Sequence, residues 1–408
     1  MTRSATSVLD ADVVVLGSGA AGLFAAVEAA DAGATTVVVE SEPQLGGSTR
    51  LSGGYVALCE TALEPGSRED LFEDLQASHL HDANDELSHV YVARAGETYD
   101  RLVSLGVQFA RTKQFAYMRR PWAHELPTGG SGGGAQIVAA LGDAARTRGV
   151  QVLTETRAVA LRQRDGRIVG VDADRDGARL RLRVHRGVVV ATGGFTRSPE
   201  LVRAFGPRGT DRIVPITGPG SRGDGLRMSL QAGAAVADLS VGIAPTAPIE
   251  PESGVGHLPL YSGGVAMNLH GRRFCDESSS YLDICWAGLD QPEAAIVQVY
   301  DTRIEADYRT SMLGQVMHGG RTFEAPTLSA LFDDVSARTD WTPRGHWRPC
   351  VATTRASTRG ATSSSVDSTC WGTPDNAYAW TRLRSLRPSR SRGRPTSTEV
   401  WRWTRTCG

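Results

Sequence analysis

Lysine is almost absent from these 408 residues: Lys113 stands alone against 43 arginines. A skew of that size marks GC-rich coding more than a binding function. The formal net charge is −1, so no excess of either sign argues for nucleic acid or a membrane surface. No apolar run reaches the length of about eighteen residues that a membrane-spanning helix needs. The six cysteines show no C-x-x-C spacing. Neither a zinc ligand set nor a disulfide framework is indicated, and no metal is expected. Met1 to Ala11 holds no apolar signal core and leads straight into a strand, so the location expected by default is cytoplasmic. What is present is ordinary. Hydrophobic residues make up 40% and charged residues 22%, on a chain long enough for two or three domains with cores of their own.

One stretch departs from this plain background. The apolar strand Val13-Val14-Val15-Leu16 runs into Gly17-x-Gly19-x-x-Gly22, and an alanine-rich helical stretch, Ala20 to Ala32, follows. A second strand, Val37-Val38-Val39, ends in Glu40, 18 positions after Gly22. Gly17 permits the tight turn, Gly19 lets backbone approach a pyrophosphate, and Gly22 lets the helix pack close to the strand. Glu40 is placed to accept hydrogen bonds from a ribose, and the helix start offers free N–H groups to phosphates. Ala21 and Ser41 belong to the same expected site. A lone glycine motif is weak evidence, but strand, turn, helix, strand and acid in register predict dinucleotide binding.

A second glycine cluster, Gly46 to Gly54, lies just beyond Glu40. A nicotinamide site has no need of such a loop there, whereas a flavin ring must lie against backbone. Gly47, Ser48, Thr49, Ser52, Gly53 and Gly54 supply room, N–H groups and hydroxyls for that purpose. The competing reading is a mobile surface loop. The segment holds no His, Cys or Tyr, so FAD is expected to be noncovalent.

Further along, the pattern from Asp70 to Leu105 is helical, with Leu71, Phe72, Leu75, Val90, Val92, Leu102 and Leu105 expected inside. The run Gly129 to Gly134 reads either as a linker or as a close-approach loop before an apolar helix. Short strands are expected at Val150–Leu153, Ile168–Val171 and Leu180–Val184. Val188-Val189-Val190 reads as a buried strand of an α/β sheet that ends in Ala191-Thr192-Gly193-Gly194. From about Leu239 the chain turns to Pro-rich loops and mixed elements, which predicts a second domain. The last 63 residues are different again: 20 Ser or Thr, 11 Arg, five of the eight Trp, two Leu, and no Ile, Phe or Met. Their net charge is +8, which leaves −9 on the first 345. No helical or strand periodicity is evident there. A basic disordered tail is one reading, but five tryptophans argue against it. Out-of-frame translation of GC-rich DNA fits the composition better, and sequencing around codons 340–350 tests it.

Taken together, Gly17-Ser18-Gly19-Ala20-Ala21-Gly22, the Gly46–Gly54 loop, Pro127-Thr128-Gly129-Gly130, Ala191-Thr192-Gly193-Gly194-Phe195 and Gly223-Asp224-Gly225 resemble one motif series. It is that of the flavoprotein superfamily of fumarate reductase, succinate dehydrogenase and 3-ketosteroid Δ1-dehydrogenase, over roughly residues 10–345. The resemblance implies an α/β fold: a GxGxxG Rossmann-like FAD-binding domain, 1–238, with an inserted α+β capping domain, 239–345, and an aberrant tail, 346–408. It implies chemistry at the domain interface, with hydride exchanged at flavin N5. It also implies Ala158 near the adenine, Thr192, Gly193 and Gly194 along the pyrophosphate, and Asp224 by the flavin-side ribose or phosphate.

The departures from that pattern bear on substrate. In Gly242-Ile243-Ala244-Pro245-Thr246 an alanine replaces the histidine of the fumarate reductases. Tyr281, a few residues after Gly271-Arg272-Arg273-Phe274, stands where they carry an arginine proton donor. A tyrosine serves as acid or base but has no charge for a carboxylate. The expected activity is therefore an oxidoreductase acting on a carbon–carbon bond beside a carbonyl, with Tyr281 as proton-transfer residue. Tyr117 is a second catalytic candidate, and His124 and Arg119-Arg120 are possible cleft residues. The expected partners are a small carbonyl-conjugated substrate and an electron acceptor or donor that the sequence does not identify. Three alternatives stand beside this reading: reduction of an unsaturated carboxylate, a catalytically dead FAD-binding remnant, and a plain nicotinamide dehydrogenase. The remnant is suggested because the family's Gly-rich C-terminal segment, which closes the FAD-domain sheet, has no counterpart in 346–408.

Overall fold

The computed structural model describes residues 7–78, 84–115, 118–127, 132–206, 210–212, 215–240, 259–277, 279, 281–292, 296–310, 322–338 and 401–405. It divides into two compact units, Met1–Ile243 and Ala244–Gly408.

The first unit is built on β1 (Ser7–Leu16), β2 (Thr36–Val39) and β6 (Gln151–Leu153), which run parallel, with β9 (Ala178–Val190) parallel to β1 on its other side. β7 (Thr156–Arg164) and β8 (Arg167–Arg175) extend this sheet antiparallel, giving the order β6-β2-β1-β9-β8-β7. The central strands are apolar at successive positions because both faces are covered. Val15 and Val38 join one cluster with Leu23, Val27 and Leu141. Their neighbours Val14, Leu16, Val37 and Val39 join the opposite cluster with Leu182. Helices α1 (Ala20–Asp31) and α6 (Gly133–Thr147) supply Leu23, Val27, Ile137 and Leu141 to the first face.

The helical stretch after residue 67 is three helices, α3 (Arg68–Ser78), α4 (Asp85–Ala93) and α5 (Ala95–Ser104). Val92 is buried, but Val90 is 52% exposed, against the sequence expectation. Two residues apart on a helix lie on nearly opposite sides, so the core takes only one of them. A small sheet of β3 (Val56–Ala57), β4 (Arg111–Lys113) and β5 (Ala123–Glu125) has the spatial order β3-β5-β4, with β5 in the middle.

β9 corrects a second expectation. The segments read as two strands, Leu180–Val184 and Val188–Val190, are one continuous strand paired to β1 along its length, from Ser7↔Leu180 to Leu16↔Val190. Its other edge pairs with β8 only from Ala178 to Arg183. Beyond that point no described strand covers it, and Val190 is 41% exposed rather than buried.

The second unit holds an antiparallel sheet ordered β10-β11-β13-β12: β10 (Val265–Met267), β11 (Val297–Asp301), β12 (Thr322–Ala325) and β13 (Trp401–Arg405). Met267, Val297, Val299 and Phe323 pack with Leu331, Phe332 and Val335 of the helix Leu328–Arg338. β13 overturns the expectation that the tail carries no strand signal. Trp401-Arg402-Trp403-Thr404-Arg405 alternates apolar with polar, the period of a strand, over too short a run to stand out from its surroundings. Its backbone pairs with β11 and β12. Among the described residues no helix is long and apolar enough to cross a membrane.

Candidate cofactor site

The turn after β1 is shaped by what its glycines exclude. Gly17 has φ +98°, and a Cβ there would meet the Ala191 carbonyl oxygen at 2.4 Å. Gly22 is tighter still, since a Cβ would lie 2.0 Å from the Gly17 carbonyl oxygen. These two hold strand, turn and helix together, while Gly19 does a different job. A Cβ at Gly19 would meet nothing nearer than Thr49 Oγ1 at 3.6 Å, so its missing side chain leaves open space at the start of α1. The first turn of α1 has no side-chain cap, and Ala20 N donates to Thr49 Oγ1 at 3.1 Å. Thr49 thereby ties the second glycine loop to the first.

Glu40 lies at the end of β2 and is only 6% exposed. Its Oε2 accepts from the Ser18 backbone N–H (2.9 Å) and hydroxyl (2.5 Å), and its Oε1 accepts from Glu42 N (3.0 Å) and Ser41 Oγ (3.3 Å). Ser18 Oγ in turn accepts from Gly46 N at 3.0 Å. The carboxylate is thus the knot between the first turn and the loop leading to Gly46. Ser18 was missed in the sequence, where it occupies a variable position of the glycine motif; its only signal is a small hydroxyl opposite an acid.

The second loop contains the short helix α2 (Gly47–Leu51), preceded by Gly46 at φ +112°. Ser48 Oγ accepts from Gly218 N at 3.0 Å. Ser52, Gly53 and Gly54 serve packing. A Cβ on Gly54 would meet Gly133 C at 2.3 Å, and one on Gly134 would meet Thr49 O at 1.8 Å. Over Gly132–Gly134 the glycine run is therefore a close-approach seat for α6 rather than a linker; Thr128 to Ser131 lie outside the described residues.

A cavity of about 260 Å³ collects these parts. It is lined by Gly17, Gly19, Ala21, Glu40, Ser41, Gly47, Ser48, Thr49, Ala158, Thr192, Gly193 and Asp224 among the expected residues. Gly22, Ser52, Gly53 and Gly54 do not line it. Ser18, Thr156, Arg157 and Ser221, not singled out in the sequence, do. Asp224 opens the helix α8 (Asp224–Gln231) and pairs with Arg157 through two bonds, Nε–Oδ2 at 2.8 Å and Nη2–Oδ1 at 2.7 Å. The open space at Gly19 and the helix start beside it suit a diphosphate. The Nε of Arg50, in α2, is buried without a hydrogen-bond partner among the described residues, but Arg50 does not line the cavity. With the small residues of both glycine loops on its wall, the cavity fits FAD.

A model of the FAD binding domain matches residues 12–287, more than half of the chain. The chain belongs to the FAD-binding domain family. Among related proteins, the fumarate reductase (cytochrome) of Shewanella frigidimarina is 27% identical over 308 residues, 72% of this chain and 52% of that one. The vinyl phenol reductase of Lactiplantibacillus plantarum is 30% identical over 291 residues, 66% of this chain and 57% of that one. Among solved structures, the 3-ketosteroid-Δ4-(5α)-dehydrogenase of Rhodococcus jostii superposes with a TM-score of 0.66 at 25% identity, covering 80% of this chain and 74% of that one. The chain spans about half the length of the fumarate reductase it matches. The cofactor of this FAD-binding chain is FAD, and its fold is α/β, a Rossmann-like FAD domain with a capping domain.

The catalytic candidates are less well placed. Tyr117 lies outside the described residues, as do Ala244 and its neighbours. Tyr281 opens the helix Tyr281–Leu289 of the second unit, and its side chain is likewise outside them. The turn before it is firmly held. Arg273 and Glu277 are both nearly buried and ion-paired, and Glu277 Oε1 also accepts from Ala266 N at 2.8 Å. The cleft residues read from the sequence have structural partners instead. His124 is fully buried, its Nδ1 2.8 Å from Trp122 O and its Nε2 2.7 Å from Thr61 Oγ1. The ring therefore donates through Nδ1 and accepts at Nε2. Burial holds its pKa below the usual histidine value. Arg119 is bonded to Asp74 and Glu73, and Arg120 to Glu64, so neither steers an anion freely.

Tyr55, directly after Gly54, was not singled out. Its hydroxyl donates to Glu125 Oε1 at 2.8 Å, while Arg111 Nε donates to Oε2 at 2.6 Å. Burial alone would raise the Glu125 carboxyl, but these two bonds outweigh it and hold the group below its ordinary range. The Lys113 ammonium lies 5.7 Å from the Tyr55 ring centroid and 5.4 Å from that of Phe115.

Proposed function

We propose that this chain is an FAD-dependent oxidoreductase acting on a carbon–carbon bond beside a carbonyl. The observation that carries this reading is the cavity at the ends of β1 and β2, where both glycine loops, Glu40 and Thr192-Gly193 converge. FAD, when bound, supplies a two-electron hydride acceptor or donor. The glycine turn and the start of α1 would hold the diphosphate, Ala158 would border the adenine, and the Gly47–Thr49 segment would line the ring system. Tyr281, at the head of its helix, moves the accompanying proton through its hydroxyl. The ketosteroid dehydrogenase likeness supports a flat enone substrate, and Ala244 with Tyr281 leaves no charged pair there for a carboxylate. Electrons come from or go to a separate partner.

The test is the visible spectrum of the purified chain. Flavin bands that bleach on adding a 3-ketosteroid support the reading, with bleaching abolished by Tyr281→Phe. Bands that respond to fumarate or another unsaturated carboxylate instead favour the second reading, which rests on the fumarate reductase among the relatives. Bound flavin that no enone, steroid or dicarboxylate bleaches would leave the remnant reading, in keeping with the β9 edge that no described strand covers beyond Arg183.

A further inference from the structure

A second cavity in the first unit, about 570 Å³, lies within the ordinary size of small-molecule sites, roughly 300–1,000 Å³, and shares only Arg157 with the lining of the cofactor cavity. Its wall carries four arginines, Arg157, Arg197, Arg222 and Arg227, against two carboxylates, Glu200 and Asp211. The charges are not equally spent. Arg157 is committed to Asp224, and Arg227 donates to Ser198 Oγ at 3.1 Å with Glu200 at 3.8 Å. Glu200 also accepts from the Ser198 hydroxyl at 2.8 Å. Arg197 and Arg222 are in a different state. Each uses Nε on a backbone carbonyl of one loop, Arg197 on Thr217 O (2.8 Å) and Arg222 on Pro219 O (3.1 Å). Arg197 N also donates to Ser221 O at 3.0 Å, which binds the same loop from the other side. Neither guanidinium has a carboxylate within ion-pairing distance among the described residues.

Arg197 and Arg222 are exposed, and each is tied at Nε to one backbone carbonyl, which leaves the planar fork of its terminal nitrogens open to a ligand. Such forks suit two-bond recognition of phosphate oxygens. We propose that this cavity is a binding site for a phosphate-bearing small molecule, gripped by Arg197 and Arg222. Thr196 and Thr210 add hydroxyls on the same wall. Arg157 lines both this cavity and the cofactor cavity, so a ligand here adjoins the FAD site without sharing its glycine turns.

The experiment is calorimetric titration of inorganic pyrophosphate into the full chain loaded with FAD, with the flavin absorbance followed in parallel. Saturable binding that leaves the flavin spectrum unchanged is expected, weakened about tenfold or more in R197Q/R222Q and unaltered in R164Q/R167Q on the β7–β8 hairpin. ADP then separates the sources. Affinity about tenfold above pyrophosphate assigns the site to a nucleotide, and equal affinity assigns it to inorganic phosphate. Absence of saturable binding up to ~10 mM overturns the proposal. So does binding that survives R197Q/R222Q, or binding that releases the flavin, which would place the anion in the cofactor cavity. Should the double variant lose its circular-dichroism spectrum, R197K and R222K keep the charge and remove the fork. Each is expected to weaken binding several-fold, and undiminished affinity in both would equally refute the forks.

Discussion

Two strands of the same sheet carry the same valine triplet, yet the structure treats them differently. Val37-Val38-Val39 of β2 has β1 on one side and β6 on the other, and its members are 3%, 0% and 3% exposed. Among the described residues Val188-Val189-Val190 of β9 has β1 alone, and Val190 is 41% exposed. The turns follow suit. After β1, Gly17 and Gly22 sit where no Cβ fits; after β9, a Cβ on Gly193 would meet only Ser221 Oγ at 3.9 Å. Composition says what a strand can tolerate, and its neighbours decide what it gets.

The largest effect that tests this contrast is a buried charge. Val38→Asp is expected to cost about 4 kcal/mol or more, and Val190→Asp less than about 1, measured by urea unfolding. Equal costs would mean that the β9 edge is covered. Next come the turns. Gly22→Ala forces backbone apart and is expected to lose about 2–3 kcal/mol together with FAD affinity, while Gly193→Ala, at φ +73°, adds only backbone strain of about 1–2 kcal/mol. Two acids that line the cofactor cavity should separate likewise. Glu40→Gln removes a buried carboxylate that holds four protein donors, at about 2 kcal/mol. Asp224→Asn breaks a partly exposed pair, at about 0.5 kcal/mol, and shows instead in FAD binding.

One pH-dependent contribution must be separated from these effects. Burial lowers the His124 pKa below 6.5, so the unfolded chain takes up the proton more readily than the folded one. That contribution is complete above about pH 6.5 and is lost as pH falls below it, by up to about 1.4 kcal/mol per pH unit until the folded-state value is reached. His124→Gln should flatten this limb of the stability profile; a limb that persists would assign it to another group.

Much of the cofactor site was legible because its chemistry is local. Gly17, Gly19, Glu40 and Thr49 are set by turn sterics and by the position of a strand end, both of which leave marks within a few residues. Ser52, Gly53 and Gly54 carried the same small-residue signal for another reason: they seat α6, and a glycine that admits backbone looks in sequence like one that admits a ligand. Arg157 and Ser221 were invisible, since they reach the cavity from distant strands and turns. The half-exposed β9 triplet was misjudged for a related reason. An apolar run reports that a strand can be buried, and pairing on its second edge is a non-local fact.

Lys113 is the one side-chain amine in the protein, and it rests over Tyr55, the residue that follows the second glycine loop. An amine-directed fluorophore would therefore label a single side chain beside that loop, without any engineered cysteine. Filling of the site would then register as a change in the emission of a dye that the native chain already has a place for.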